Sequence, residues 1–256
     1  MTVPTPAATA DAPFTPGSRA LVPDRAAPSR RLAAFGWSAL ALVAIGQVAA
    51  IMMSPPDAAM GHTQKIMYVH VPTAWSAFLA FFLVFVFSVG YLWTRNDRQD
   101  QLALGAAEVG TAQTALTIAQ GAIWGRPTWG IWWTWDPRLT TTAIMLLIYV
   151  GYLALRAFTD DPERGARWAA AVGILGFINV PIVYMSVRWW RTLHQVQSTT
   201  SSVAPAYRIG LLVNVVTVTL LTVYFILKRA ESARLERAAD AALEQRMLGG
   251  AAAAGA

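Results

Sequence analysis

The stretch Trp124-Gly-Arg-Pro-Thr-Trp-Gly-Ile-Trp-Trp-Thr-Trp-Asp136 decides how the rest of the chain is read. It holds five of the eleven tryptophans: Trp124, Trp129, Trp132, Trp133 and Trp135. It lies between two apolar runs, at about 102–123 and 138–158, each near the roughly 20 residues that a membrane-spanning helix needs. Tryptophan is large and flat, apolar over its body and polar at one N–H. A belt at the membrane edge uses such residues singly. A cluster this dense predicts a hydrophobic platform that receives a flat hydrophobic partner.

Outward from the cluster, four more apolar runs occur: Leu32 to Met53, and about 72–94, 167–187 and 206–227. With the first two they predict an all-α integral membrane protein of six transmembrane helices, with the tryptophan-rich segment lying at one interface. Composition agrees. Hydrophobic residues make up 55% of the chain and charged residues 13%, against about 25% charged in a soluble domain. Mean hydropathy is +0.43. The net charge of +6 is spread over loops and tails rather than gathered in a patch, so it is read as a topology signal and not as a nucleic-acid site. The absence of cysteine excludes disulfides, thiolate metal sites and covalent haem attachment through CxxCH. No Gly-rich phosphate loop occurs, so the chain carries no ATP site of its own.

Six spans put both termini on one side. The N-terminal tail, the 95–101 and 156–167 loops and the C-terminal tail hold fourteen Arg or Lys; the other three loops, with Arg208, hold six. The positive-inside rule then makes both termini cytoplasmic, with the loops at 54–71, 124–137 and 188–205 on the outer face. Arg30-Arg31 before the first run resembles a signal peptide, but a run of about 22 residues exceeds the roughly 7–15 of a cleaved signal, and a retained anchor is expected. Three regions follow: residues 1–31, rich in Pro, Ala and Thr, as a disordered cytoplasmic tail; residues 32–228 as the transmembrane domain; and residues 229–256 as a cytoplasmic helical tail. In that tail Ala230 to Met247 extends the sixth span and stops at Gly249-Gly250.

All three histidines fall in or beside the outer loops. His70 stands in Tyr68-Val-His-Val-Pro72, just before the second span, with Pro72 suited to a first helical turn. His194 stands in Arg188-Trp-Trp-Arg-Thr-Leu-His194, where Trp190 shares its face at helical spacing, as do Arg188 and Arg191. Each histidine is open to two readings, a metal ligand or an ordinary interfacial residue. His62 follows Gly61 and reads as a solvated loop residue. Trp129, Trp132 and Trp133 follow i, i+3, i+4 spacing, so a short interfacial helix would present them together. Asp136 before Pro137 fits an N-cap with proline at N1, which leaves a second role open. Arg126 and Arg138 flank the segment and suit carboxylates or lipid headgroups. Glu108, the acid inside a span, lies near the cytoplasmic end of the third span and reads as a contact to a partner subunit or water. A flat, apolar, iron-bearing ligand with carboxylates fits these parts together: haem.

The same residues carry a resemblance. Trp124 to Thr140 looks like the WWD signature of haem-handling proteins. With Tyr68-Val-His-Val-Pro72 and Trp189-Trp-Arg-Thr-Leu-His-Gln195, the chain over roughly 32–228 resembles the haem exporter protein C family, the C subunit of the cytochrome c maturation system. Departures are Ile131 in place of a small polar residue, His62 and a longer N-terminal tail. The resemblance implies that His70 and His194 are axial haem iron ligands and that the Trp124–Asp136 segment cradles haem b, held non-covalently. Arg126, Arg138, Arg188 or Arg191 would meet the propionates. It implies a bacterial inner-membrane location and an ABC-type ATPase, a permease and a small single-span subunit as partners. A periplasmic haem chaperone would receive the haem, and the chain itself would not be an enzyme. Two other readings stay open: a WWD haem-presenting subunit of a cytochrome c synthase, and a permease subunit of a small-molecule exporter.

Overall fold

The computed structural model describes residues 29–196 and 202–254. Among these it is all helical, with one isolated bridge between Asp57 and Gly61 and no strand. The elements are α1 (Arg30–Met53), a 3₁₀ turn (His62–Ile66), α2 (Met67–Thr94), α3 (Asp97–Trp129), α4 (Pro137–Ala157), α5 (Pro162–Gly176), α6 (Asn179–Trp189) and α7 (Pro205–Ala254). The expected tail at 1–31 lies outside the described residues up to position 28, and α1 takes up Arg30 and Arg31 with Ser29 as its cap.

The protein is an integral membrane protein of six helical crossings, α5 and α6 together making the fifth. Five of the crossings are long and apolar enough to span a bilayer by composition. The exception, α3, has 33 residues, ample length at about 1.5 Å per residue, but carries Gln101, Glu108, Gln113 and Gln120 along it. Its polar content reflects its place. It packs along α2 and against α4 and α7, while α1 lies outside on α7. Gln113 donates to the Thr222 hydroxyl of α7 at 2.7 Å, so part of its polarity is satisfied inside the bundle.

Prolines shape the bundle where the hydrophobic pattern alone does not. The run at 167–187 is not one helix. Pro181 lacks an N–H and its ring crowds the carbonyl four residues back, that of Phe177, so the helix breaks there into α5 and α6. Ile178 and Val180 close the break with bonds to the third carbonyl back, Leu175 and Phe177. Asn179 anchors it to α4 by donating to the Thr141 carbonyl at 2.9 Å. Likewise α2 begins at Met67, five residues before Pro72, so His70 sits inside the first turns of the helix rather than just before it. Pro72 leaves the Tyr68 carbonyl without its helical donor, and the Gln47 side chain of α1 supplies one at 2.8 Å.

At the end opposite the tryptophans, ion pairs lock the helices. Asp100 of α3, 2% exposed, receives Arg156 of α4 through two bonds of 2.5 and 2.8 Å, and also Arg237 of α7. Glu108 pairs with Arg229 of α7 at 2.5 Å, a contact within the chain that the sequence reading did not foresee. These bonds hold α7 as it runs on without a break; it passes Gly249-Gly250, the expected stop, and continues to Ala254. Asp100→Ala leaves a largely buried Arg156 unpaired and is expected to destabilise the protein by about 3–5 kcal/mol. Denaturant unfolding in detergent micelles measures this; a loss below about 1 kcal/mol, the range of exposed pairs, contradicts the assignment.

Candidate functional site

At the tryptophan end, α2, α3, α4 and α6 part around two adjoining cavities with empty volumes of about 720 and 1140 Å³. His70, Ala74, Phe78, Gly121, Trp129, Arg138 and His194 line both. Histidines 124 positions apart in sequence thus face one space.

His70 reaches it from the first turns of α2. Its ring lies over α3 at Gly121, where an added Cβ would sit 3.2 Å from the imidazole Cε1. The absence of a side chain at 121 is what lets the imidazole lie against the helix. Trp124 stands edge-on to His70 with ring centres 5.7 Å apart. Its other side packs into a cluster with Met67, Tyr68 and Tyr207, so it is a wall of the cavity more than an open platform.

The rest of the tryptophan segment does not form the interfacial helix. α3 continues through Pro127 to Trp129 and stops at Gly130, whose φ of +79° is the left-handed conformation that glycine adopts at a helix end. Ile131 to Asp136 then run on without helical structure. Trp129 stands edge-on to His194 at 4.8 Å, and Trp132 and Trp133 line the deeper cavity. Trp135 lines neither; it is 78% exposed and packs edge-on against Trp133 at 5.7 Å.

Asp136 joins the two sides. As the cap of α4 it accepts from the Arg138 N–H at 2.9 Å. It also accepts from the Thr192 hydroxyl at 2.8 Å and the Leu193 N–H at 2.7 Å. The His194 Nδ1 lies 3.6 Å from its Oδ1. Asp136 lines neither cavity. It caps α4 and holds the His194 loop. Burial raises its pKa, but the hydrogen bonds from Thr192, Leu193 and Arg138 and the adjacent His194 outweigh this and keep the carboxyl below its ordinary value.

Of the four candidate arginines, the structure brings one to the cavity. Arg138 lines both hollows and its buried Nη1 has no hydrogen-bond partner. Arg126 is exposed and donates to the Gly130 carbonyl at 2.5 Å, and Arg188 and Arg191 are exposed and line neither cavity. His62 is exposed in the 3₁₀ turn and lines neither. Thr114, Thr117 and Gly121 of α3, and Ala74, Ala77 and Phe78 of α2, also line the site. Sequence reading passed over them; with His70, the α2 set falls at helical spacing on one face, which is the signal that could have found it.

A model of the family described as Heme exporter protein C matches residues 24–245, most of the chain. The chain belongs to the haem exporter protein C family. A Heme exporter protein C of Bradyrhizobium diazoefficiens is 42% identical over 211 residues, covering 78% of this chain and 80% of the relative. One of Haemophilus influenzae is 39% identical over 181 residues, 70% and 73% of the two chains. A mitochondrial protein of Marchantia polymorpha named for cytochrome c biosynthesis is 37% identical over 158 residues, 61% and 66%. Membership of the haem exporter protein C family makes this a haem-handling membrane subunit of cytochrome c maturation.

A neutral imidazole offers a lone pair to a metal ion and a protonated one does not. Burial, then the nearby Arg138 charge, push His194 down to about 4, with Asp136 partly offsetting them. Histidine NMR of the haem-free protein in nanodiscs should show His194 titrating near 4 rather than 6.5. Asp136→Asn removes a charge that raises this value, so it should lower the midpoint further. A midpoint near 6.5, or an upward shift in the variant, contradicts the described surroundings.

Proposed function

We propose that the chain binds haem b non-covalently in this cavity, with His70 and His194 as the axial iron ligands, and presents it to a periplasmic haem chaperone. The observation that carries the reading is the convergence of both histidines and Arg138 on one aromatic-walled space. Haem is flat, apolar over its ring, anionic at one edge and ligand-seeking at its centre. Trp124, Trp129, Trp132 and Trp133 supply the walls. Arg138, a buried cation with an unused donor, meets a propionate, since guanidinium matches carboxylate in a bidentate fork. Asp136 and Trp135 belong behind and outside this set; Arg126, Arg188 and Arg191 face lipid headgroups or partners.

In this reading the tryptophan end faces the periplasm and the ion-pair end the cytoplasm, in a bacterial inner membrane, in keeping with the uneven spread of Arg and Lys. The work of release falls to partners: an ABC-type ATPase, a permease and a small single-span subunit. The chain itself makes no covalent bond to haem.

Purified protein should show the absorption spectrum of low-spin, bis-histidine haem. His70→Ala and His194→Ala should each abolish or convert that spectrum, while His62→Ala leaves it intact. Unchanged spectra in both of the first two variants overturn the axial assignment. Arg138→Ala should weaken haem binding about tenfold or more, the scale of a lost charged hydrogen bond of about 1.5–3 kcal/mol. The same change at Arg126, Arg188 or Arg191 should leave haem affinity within about twofold of wild type, as for side chains outside the cavity. Equal losses at all four would return the propionate role to the whole set.

A further inference from the structure

Asp136 closes the tryptophan signature, yet it does not line either cavity. A buried carboxylate that is kept from the ligand space invites a role through a neighbour. Its side chain is 3% exposed. An ionised carboxylate offers about four acceptor sites. Three are filled: by the Arg138 N–H, the Thr192 hydroxyl and the Leu193 N–H. The His194 Nδ1 lies 3.6 Å from Oδ1, the oxygen that also accepts from Arg138 and Thr192, and that nitrogen is buried with no other partner. The two nitrogens of an imidazole are distinct, and the hydrogen bond made by one sets the state of the other.

His70 has different surroundings. Its Nδ1 is also buried and makes no hydrogen bond. The acceptor within its reach is the neutral backbone carbonyl of Thr117, not a carboxylate. Around it stand Gly121 and the edge of Trp124. One histidine is therefore backed by a negative charge that is fixed to a helix end. The other is backed by a helix backbone.

We propose that Asp136 is the positioning residue for His194: it holds the Nδ1–H, leaves Nε2 to the cavity, and makes His194 the stronger and His70 the weaker of two unequal haem ligands. The proposal rests on the haem reading for its second half only. A carboxylate behind a ligating imidazole fixes the tautomer and raises ligand basicity, and loss of such a partner typically lowers metal affinity about 10–100-fold. A more basic ligand favours the more highly charged ferric iron. The unequal pair gives release a direction: the His70 bond opens first, while His194 keeps hold of the haem as it leaves.

Two measurements test this on the full chain in nanodiscs. The first is ¹⁵N-histidine NMR of the haem-free protein at pH 7, with His194 assigned by His194→Gln. The expected result is the Nδ1–H tautomer at His194, shifted toward Nε2–H by Asp136→Asn. An Nε2–H tautomer in the unaltered protein overturns the proposal. The second is haem titration and redox potentiometry. Asn caps a helix as well as Asp does, so Asp136→Asn keeps the cap and removes the charge. It should bind haem about 10–100-fold more weakly and at a more positive midpoint potential. Unchanged affinity and potential in Asp136→Asn, with the bis-histidine spectrum retained, overturn the proposal while leaving the haem reading intact. If the unaltered protein takes up no haem, the haem reading fails and the tautomer still decides the positioning role. Should Asp136→Asn fail to fold, the tautomer in the unaltered protein decides alone.

Discussion

The carboxylate of Asp136 is the constraint on which the site depends. It caps the start of α4, and it bonds to three groups on two segments 56 residues apart. Without it, the chain from Trp190 onward has no described tie to α4 at this depth. With it, the His194 loop is fastened to the start of a spanning helix, and the imidazole is carried to the mouth of the space that His70 enters from α2. Helix capping is worth about 1 kcal/mol; here the same oxygens also fix the relative position of two elements, and so the distance across the cavity.

The opposite end of the bundle uses the same device with more charge. Asp100 gathers arginines from α4 and α7 as Asp136 gathers donors from α4 and the His194 loop. α4 is held at both ends, by Asp136 where it starts and through Arg156 where it finishes. Between them its buried side chains, Met145, Tyr149 and Tyr152, pack against Phe81 and Val84 of α2 and form the floor below the cavity. The result is a rigid frame around a softer opening: Trp124 and Trp129 line the cavity from the end of α3, and Trp132 and Trp133 from the segment without helical bonds that follows.

Much of this was legible in the sequence. Runs of about 20 apolar residues cannot be read otherwise, and the six crossings, the cap at Asp136 and membership of the haem exporter protein C family followed from pattern and motif. What was not legible has physical reasons. Hydropathy is blind to a proline-induced break, because Pro181 is apolar enough to sit in a continuous run. It is equally blind to α2 starting before Pro72, since a helix tolerates the proline when Gln47 rescues the freed carbonyl. The i, i+3, i+4 spacing of the tryptophans suggested a helix, but Gly130 turns the chain first. Which of the four arginines lines the cavity could not be read from sequence, because three-dimensional packing alone decides it. Small residues such as Gly121 and Thr117 carry no chemical signal until a histidine is seen lying on them.

The central claim is that one haem iron lies between His70 and His194. Pulsed electron paramagnetic resonance of the oxidised, haem-loaded protein, grown with ¹⁵N-labelled histidine, tests it directly. The account predicts a low-spin ferric signal with ¹⁵N couplings from two histidine nitrogens, one of which is lost in each single histidine variant. A high-spin signal in the unaltered protein, or coupling to a single histidine that survives the loss of either residue, would contradict it.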